Sequence, residues 1–100
     1  MALTSPQRKK LRSLAHSLDP IVLIGKQGLT DTLVLSTEKA LEAHELIKVR
    51  FNEFKREKKE IAAQLAERTG AELAGIIGHV AILFRQNEDP DKQRIDIEAK

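Results

Sequence analysis

The sequence predicts an α/β fold, an αβαβαββ two-layer sandwich with a four-stranded mixed sheet. Three observations carry that prediction. The apolar run Ile21 to Ile24 and the alternating stretch Leu46 to Phe51 read as strands on either side of a helical period. A Gly78-His79 pair divides two short apolar runs, as a tight hairpin turn would. Cap signals precede segments whose apolar residues recur at helical spacing.

Ser5-Pro6 reads as a cap with proline at the first helical position, and Leu11, Leu14, Ala15 and Leu18 form a stripe, so a helix is expected from about Pro6 to about His16. Its other faces carry Arg8, Lys9, Lys10 and Arg12, which suit either a solvated face or a phosphate-contacting one. Asp19-Pro20 ends the helix, and Ile21 to Ile24 suits a strand buried on both faces. After Gly25-Lys26-Gln27-Gly28, Thr30 is a good N-cap and Asp31 suits a first turn, which places the second helix at about Asp31 to Ala43. In the next strand Ile47, Val49 and Phe51 face one way, while Lys48 and Arg50, with Leu46, face the other. Strand, helix and strand form a βαβ unit, so the two strands should be parallel with a right-handed crossover.

Asn52 is the expected cap of the third helix. Lys55, Arg56, Lys58 and Lys59 then fall in its first turns among Glu53, Glu57 and Glu60, a solvated face on which Arg56 and Glu60 can pair. Gly70 is placed to end that helix, and Leu73 to Ile77 with Val80 to Phe84 closes the domain as an antiparallel hairpin. Residues 1–85 are therefore expected to be the domain. Residues 86–100 are expected to be a polar, flexible tail, with an edge strand over Arg94 to Ile97 as the alternative.

Composition narrows the function. One hundred residues suit a single domain with a modest core. The lack of cysteine excludes disulfides, thiol catalysis and Cys–Zn sites. No apolar run approaches the ~20 residues of a membrane span, and the basic N-terminus lacks the hydrophobic segment of a signal peptide, so a cytoplasmic protein is expected. Net charge is +2, split as +5 over residues 1–59 and −3 over residues 60–100, which points to an anionic partner for one side. With only Phe51, Phe54 and Phe84 as aromatics, sheet surfaces that stack successive bases are disfavoured, and a nucleic acid would be held mainly by its backbone. His16, His44 and His79 stand at no metal or triad spacing, so neither catalysis nor a cofactor, metal or small-molecule substrate is expected.

The stretch IVLIGKQGLT carries the chemistry. Gly25 and Gly28 allow backbone angles closed to other residues, and the N-terminus of the second helix faces the same loop. Lys26 adds a point charge. The loop is either a phosphate site or only a tight strand-to-helix turn; it is neither a dinucleotide fingerprint nor a P-loop, whose remaining glycine and Lys-Ser/Thr are missing.

Four local sequences resemble a known family, the CRM domain (chloroplast RNA splicing and ribosome maturation) in its bacterial stand-alone, YhbY-type form. They are LAHSLDPIVLIGKQGLT from Leu14 to Thr30, HELIKVRF from His44 to Phe51, RTGA from Arg68 to Ala71 and IIGHVAILFR from Ile76 to Arg85. The resemblance implies a fold similar to the C-terminal domain of translation initiation factor three, and an RNA-binding loop that clamps backbone nucleotides as in KH domains. It implies association with ribosomal RNA in precursors of the large subunit. Gly25, Lys26, Gln27 and Gly28 match the family's loop, Lys48 and Arg50 its basic strand positions, and Arg85 the basic end of its last strand. With Thr30 and the first-helix cations Arg8, Lys9 and Arg12, these are the expected RNA contacts of a monomer. The acidic tail departs from the basic ending of some members. Three competing readings are a protein-interaction adaptor, whose GxxG is only a turn, an RNA binder of the small subunit or of translation initiation, and a small hydrolase using the histidines.

Overall fold

A computed structural model describes residues 2–97; Met1, at the start of the expected domain, and residues 98–100, at the end of the expected tail, lie outside the described residues. The elements are α1 (Ser5–Ala15), β1 (Val22–Ile24), α2 (Asp31–His44), β2 (Leu46–Phe51), α3 (Lys58–Thr69), β3 (Glu72–Ile77) and β4 (Val80–Phe84), followed by a 3-10 turn at Pro90–Lys92. They form a four-stranded mixed sheet in the order β1-β2-β4-β3. β1 runs parallel to β2, and the other neighbours are antiparallel. This is the expected order of elements. Gly78 takes φ +60° in the β3–β4 turn, where glycine carries no Cβ penalty.

The layering is more elaborate than two layers. α2 and α3 cover one sheet face around Val34, Leu41, Ile47, Val49, Phe51 and Leu65. α1 crosses the other face, where Leu11 and Ala15 meet Leu46, Ile82 and Phe84 in a second cluster. Helices thus lie on both sides, because β2 and β4 have apolar groups pointing each way.

Several boundaries move for local reasons. Thr4, rather than Ser5, caps α1, because Gln7 can complete a capping box with it: Gln7 N–H donates to Thr4 Oγ1 at 3.2 Å and Thr4 N–H to Gln7 Oε1 at 2.9 Å. β1 is an edge strand that α1 does not cover, so Val22 and Ile24 are buried while Leu23 is 54 % exposed, and burial on both faces is not realised. Asn52 does not cap α3. Instead the N–H groups of Asn52 and Glu53 donate to the Ile24 carbonyl at 3.0 and 3.2 Å, which ties the β2–α3 loop to the end of β1. α3 begins only at Lys58, so Lys55 and Arg56 stand in that loop, and Arg56 and Glu60 form no ion pair among the described residues.

Residues 86–97 follow a defined path and form no edge strand. The organiser is Glu45, only 1 % exposed, whose carboxylate accepts the N–H of Asn87 at 2.6 Å, of Arg94 at 2.5 Å and of Ile95 at 2.9 Å. Ile97 then buries itself beside Leu3 and Leu11. A polar composition points to a free tail; a buried carboxylate that needs donors explains why the backbone docks instead.

Candidate nucleic-acid interface

The GxxG loop leaves the sheet at the C-terminal end of β1. Ile24 pairs with Phe51 and Arg50 with Val80, so the same end carries the close of β2, the β3–β4 turn and the β2–α3 loop. Within the loop, Gly28 N–H donates to the Gly25 carbonyl at 3.0 Å and Thr30 N–H to the Gly28 carbonyl at 3.2 Å. Gly28 sits at φ +69°, the left-handed region that glycine enters without a Cβ penalty. The amides of Lys26 and Gln27 have no backbone partner among the described residues, and both side chains are exposed. Thr30 is committed to the fold: its hydroxyl accepts from Leu33 N–H at 3.1 Å as the α2 cap. The loop therefore offers unpaired amides, a helix N-terminus and one lysine, which together suit an oxyanion.

The rest of this sheet end is cationic. Lys26, Arg50 and Lys55 are exposed and carry no side-chain hydrogen bond or ion pair among the described residues. Lys58 donates to the Gly78 carbonyl and lies 3.4 Å from His79 Nδ1. Partial desolvation, then the charges of Lys58, Lys55 and Arg50, hold the His79 imidazole below its ordinary range. On the sheet face that α1 leaves open, Leu23, Arg50, Val80 and Ile77 form one cross-strand row, with Leu23 54 % and Ile77 60 % exposed beside Arg50. Lys55, Lys58 and His79 are missed by sequence reasoning, because the pattern assigns the first two to a solvated helix face and the third to a turn.

The remaining expected contacts separate from this cluster. Arg8 donates to the Leu3 carbonyl at 2.8 Å and to Ser5 Oγ at 3.1 Å, and Arg12 to the Ala74 carbonyl at 3.1 Å across to β3. Lys48 reaches the end of α1, donating to the carbonyls of Leu18 at 2.9 Å and His16 at 3.4 Å, where a cation complements the helix dipole. Lys9 is exposed on α1. Arg85 follows β4 at the opposite end of the sheet, roughly 17 Å along the strand from Val80. It donates to the carbonyls of Thr69 at 2.9 Å and Glu38 at 3.3 Å and lies 3.3 Å from the Glu42 carboxylate, joining α2 to α3. The concavity around it is lined by Glu42, Glu72, Glu88 and Asp89 against Arg85 and Lys92, an acidic excess that disfavours phosphate. Arg85→Ala is accordingly expected to lower stability by about 1–2 kcal/mol and to change RNA affinity less than about twofold, as urea denaturation and an RNA titration on the same preparation will measure.

Known proteins place this architecture. The model of the CRS1/YhbY (CRM) domain matches residues 3–85. A protein of Pseudomonas aeruginosa named as a probable RNA-binding protein is 34 % identical over 98 residues, which span 97 % of this chain and 94 % of that one. An RNA-binding protein of Haemophilus influenzae is 38 % identical over 88 residues, 87 % of this chain and 89 % of its own. Among solved structures, a hypothetical protein of Staphylococcus aureus described as a candidate RNA binder superposes with a TM-score of 0.78 at 38 % identity, covering 94 % of this chain and 99 % of that one.

Proposed function

The chain belongs to the CRS1/YhbY (CRM) domain family, and on that premise we propose that it is a non-catalytic, cytoplasmic RNA-binding protein that docks on ribosomal RNA in large-subunit precursors and assists their assembly. The observation that carries the reading is the collection of unpaired cations, Lys26, Arg50 and Lys55, around a loop with unpaired amides at one end of the sheet. The names of the relatives agree with RNA as the partner.

A phosphate on the Lys26 and Gln27 amides meets the positive end of α2 and the Lys26 ammonium together. Neighbouring phosphates fall to Arg50 and Lys55. Asp31, at the start of α2, is ion-paired to Arg68 at 2.8 Å, which lessens its opposition to an incoming anion. Because the contacts are to the backbone, selectivity rests on RNA shape and accessibility more than on base identity.

Sucrose-gradient fractionation of a lysate at low and high salt tests the assignment. Migration with large-subunit precursors and release by salt are expected, since each phosphate contact displaces counterions. Migration with small subunits would favour an initiation-associated role. A protein that stays at the top under both conditions would remove stable ribosomal association and favour the adaptor reading.

A further inference from the structure

Phe54 differs from the other two phenylalanines. Phe51 and Phe84 lie in the core, whereas Phe54 is 41 % exposed in the β2–α3 loop. Its backbone stands at φ +57°, where a bulky residue is uncommon and glycine or asparagine would sit with less strain. A bulky residue kept at such an angle, with two-fifths of its surface open, is a candidate for a functional role.

The location supplies one. A Cβ built on Gly28 would lie 3.3 Å from Phe54 Cε2, so the GxxG loop approaches the ring this closely because position 28 has no side chain. The hydrogen bonds from Asn52 and Glu53 to Ile24 hold the ring's loop against the strand that feeds the GxxG turn. Lys55, the next residue, and Lys26, within the turn, are unpaired cations. A partly open aromatic surface is thus fixed beside amides and charges suited to phosphate.

Resting on the RNA-binding reading above, we infer that Phe54 is a stacking platform for one unpaired base of the strand whose phosphate lies at Lys26 and the loop amides. Every base presents a π-face, so the platform tolerates sequence; a duplex keeps its bases stacked and offers none. The ligand is therefore a single-stranded RNA segment, such as a loop or bulge. One ring serves one base, which is compatible with a chain poor in aromatics.

The chain contains no tryptophan, so Phe54→Trp installs a single reporter at the platform. A fluorophore-labelled, mixed-sequence RNA of about ten nucleotides is the probe, a length within the span of known single-strand sites. Label anisotropy reads binding and tryptophan emission reads stacking. The expected result is Phe54→Trp emission quenched in step with the anisotropy. Phe54→Leu keeps apolar bulk without the π-face; checked for folding by circular dichroism, it is expected to bind about fivefold or more weakly with an unchanged salt slope. Anisotropy that rises with no change in emission, or a Leu variant that binds as tightly as the unmutated chain, overturns the platform and leaves the RNA-binding reading standing. No anisotropy change with the unmutated protein removes both.

Discussion

Lys26→Glu is expected to lower the affinity for single-stranded RNA at least about tenfold near 0.1 M salt, because it replaces an attraction with a repulsion at the phosphate position. The slope of log affinity against log salt should fall by about 0.7, the share of a single lysine–phosphate pair. Stability should not follow. Lys26 is exposed and has no partner among the described residues, so its replacement belongs with surface changes that stay within about 0.5 kcal/mol. Fluorescence anisotropy at several salt concentrations, with thermal unfolding of the same samples, separates the two effects. A folded Lys26→Glu protein with unchanged affinity would take the loop out of the mechanism.

The second large effect concerns the fold. Glu45→Ala removes the acceptor for three backbone N–H groups, those of Asn87, Arg94 and Ile95, and is expected to destabilise the protein by about 2–4 kcal/mol. Residues 86–97 should come away from the sheet and become sensitive to protease, exposing the cluster that holds Ile97. Glu45→Gln keeps one acceptor oxygen and should lose less. Urea denaturation with limited proteolysis reads both consequences. Because these hydrogen bonds lie where β2 begins and β4 ends, at the sheet end opposite the GxxG loop, a Glu45→Gln protein that remains folded should keep its RNA affinity.

The parts of the fold legible in the sequence are those where one local rule acts alone. β2 alternates, α2 has a cap and a stripe, and the β3–β4 hairpin turns at the glycine with positive φ. Legibility ends where a distant partner decides the outcome. β1 reads as buried on both faces because Ile21, Val22, Leu23 and Ile24 are all apolar; its edge position, which leaves Leu23 exposed, depends on where α1 crosses the sheet. Asn52 looks like a helix cap until α3 is found to begin only at Lys58, with the intervening loop tied back to Ile24. Glu45, between α2 and β2, carries no local signal of burial, and only the tail's return shows it as a buried anchor.

The candidate site divides in the same way. Gly25, Lys26, Gln27 and Gly28 come from local spacing, and the structure sets them beside Arg50. The cations Arg8, Arg12, Lys48 and Arg85 look alike in sequence, yet each is bonded to backbone carbonyls of other segments. Charge alone does not distinguish an unpaired, exposed lysine such as Lys26 from one that caps a helix, such as Lys48. Lys55 and Phe54 look like part of a helical face, yet a shortened α3 leaves both in the loop and sets the Phe54 ring against Gly28.

The most direct test of a phosphate-binding sheet end is site-specific photocrosslinking in cells, with a photoreactive side chain placed at position 26, 55 or 85 in turn and the attached material identified by sequencing and mass spectrometry. Positions 26 and 55 are predicted to crosslink to RNA of the large-subunit precursor, and position 85, at the acidic end, is not. RNA captured at 85 and absent at 26 and 55, or protein alone captured at 26 and 55, would contradict the account.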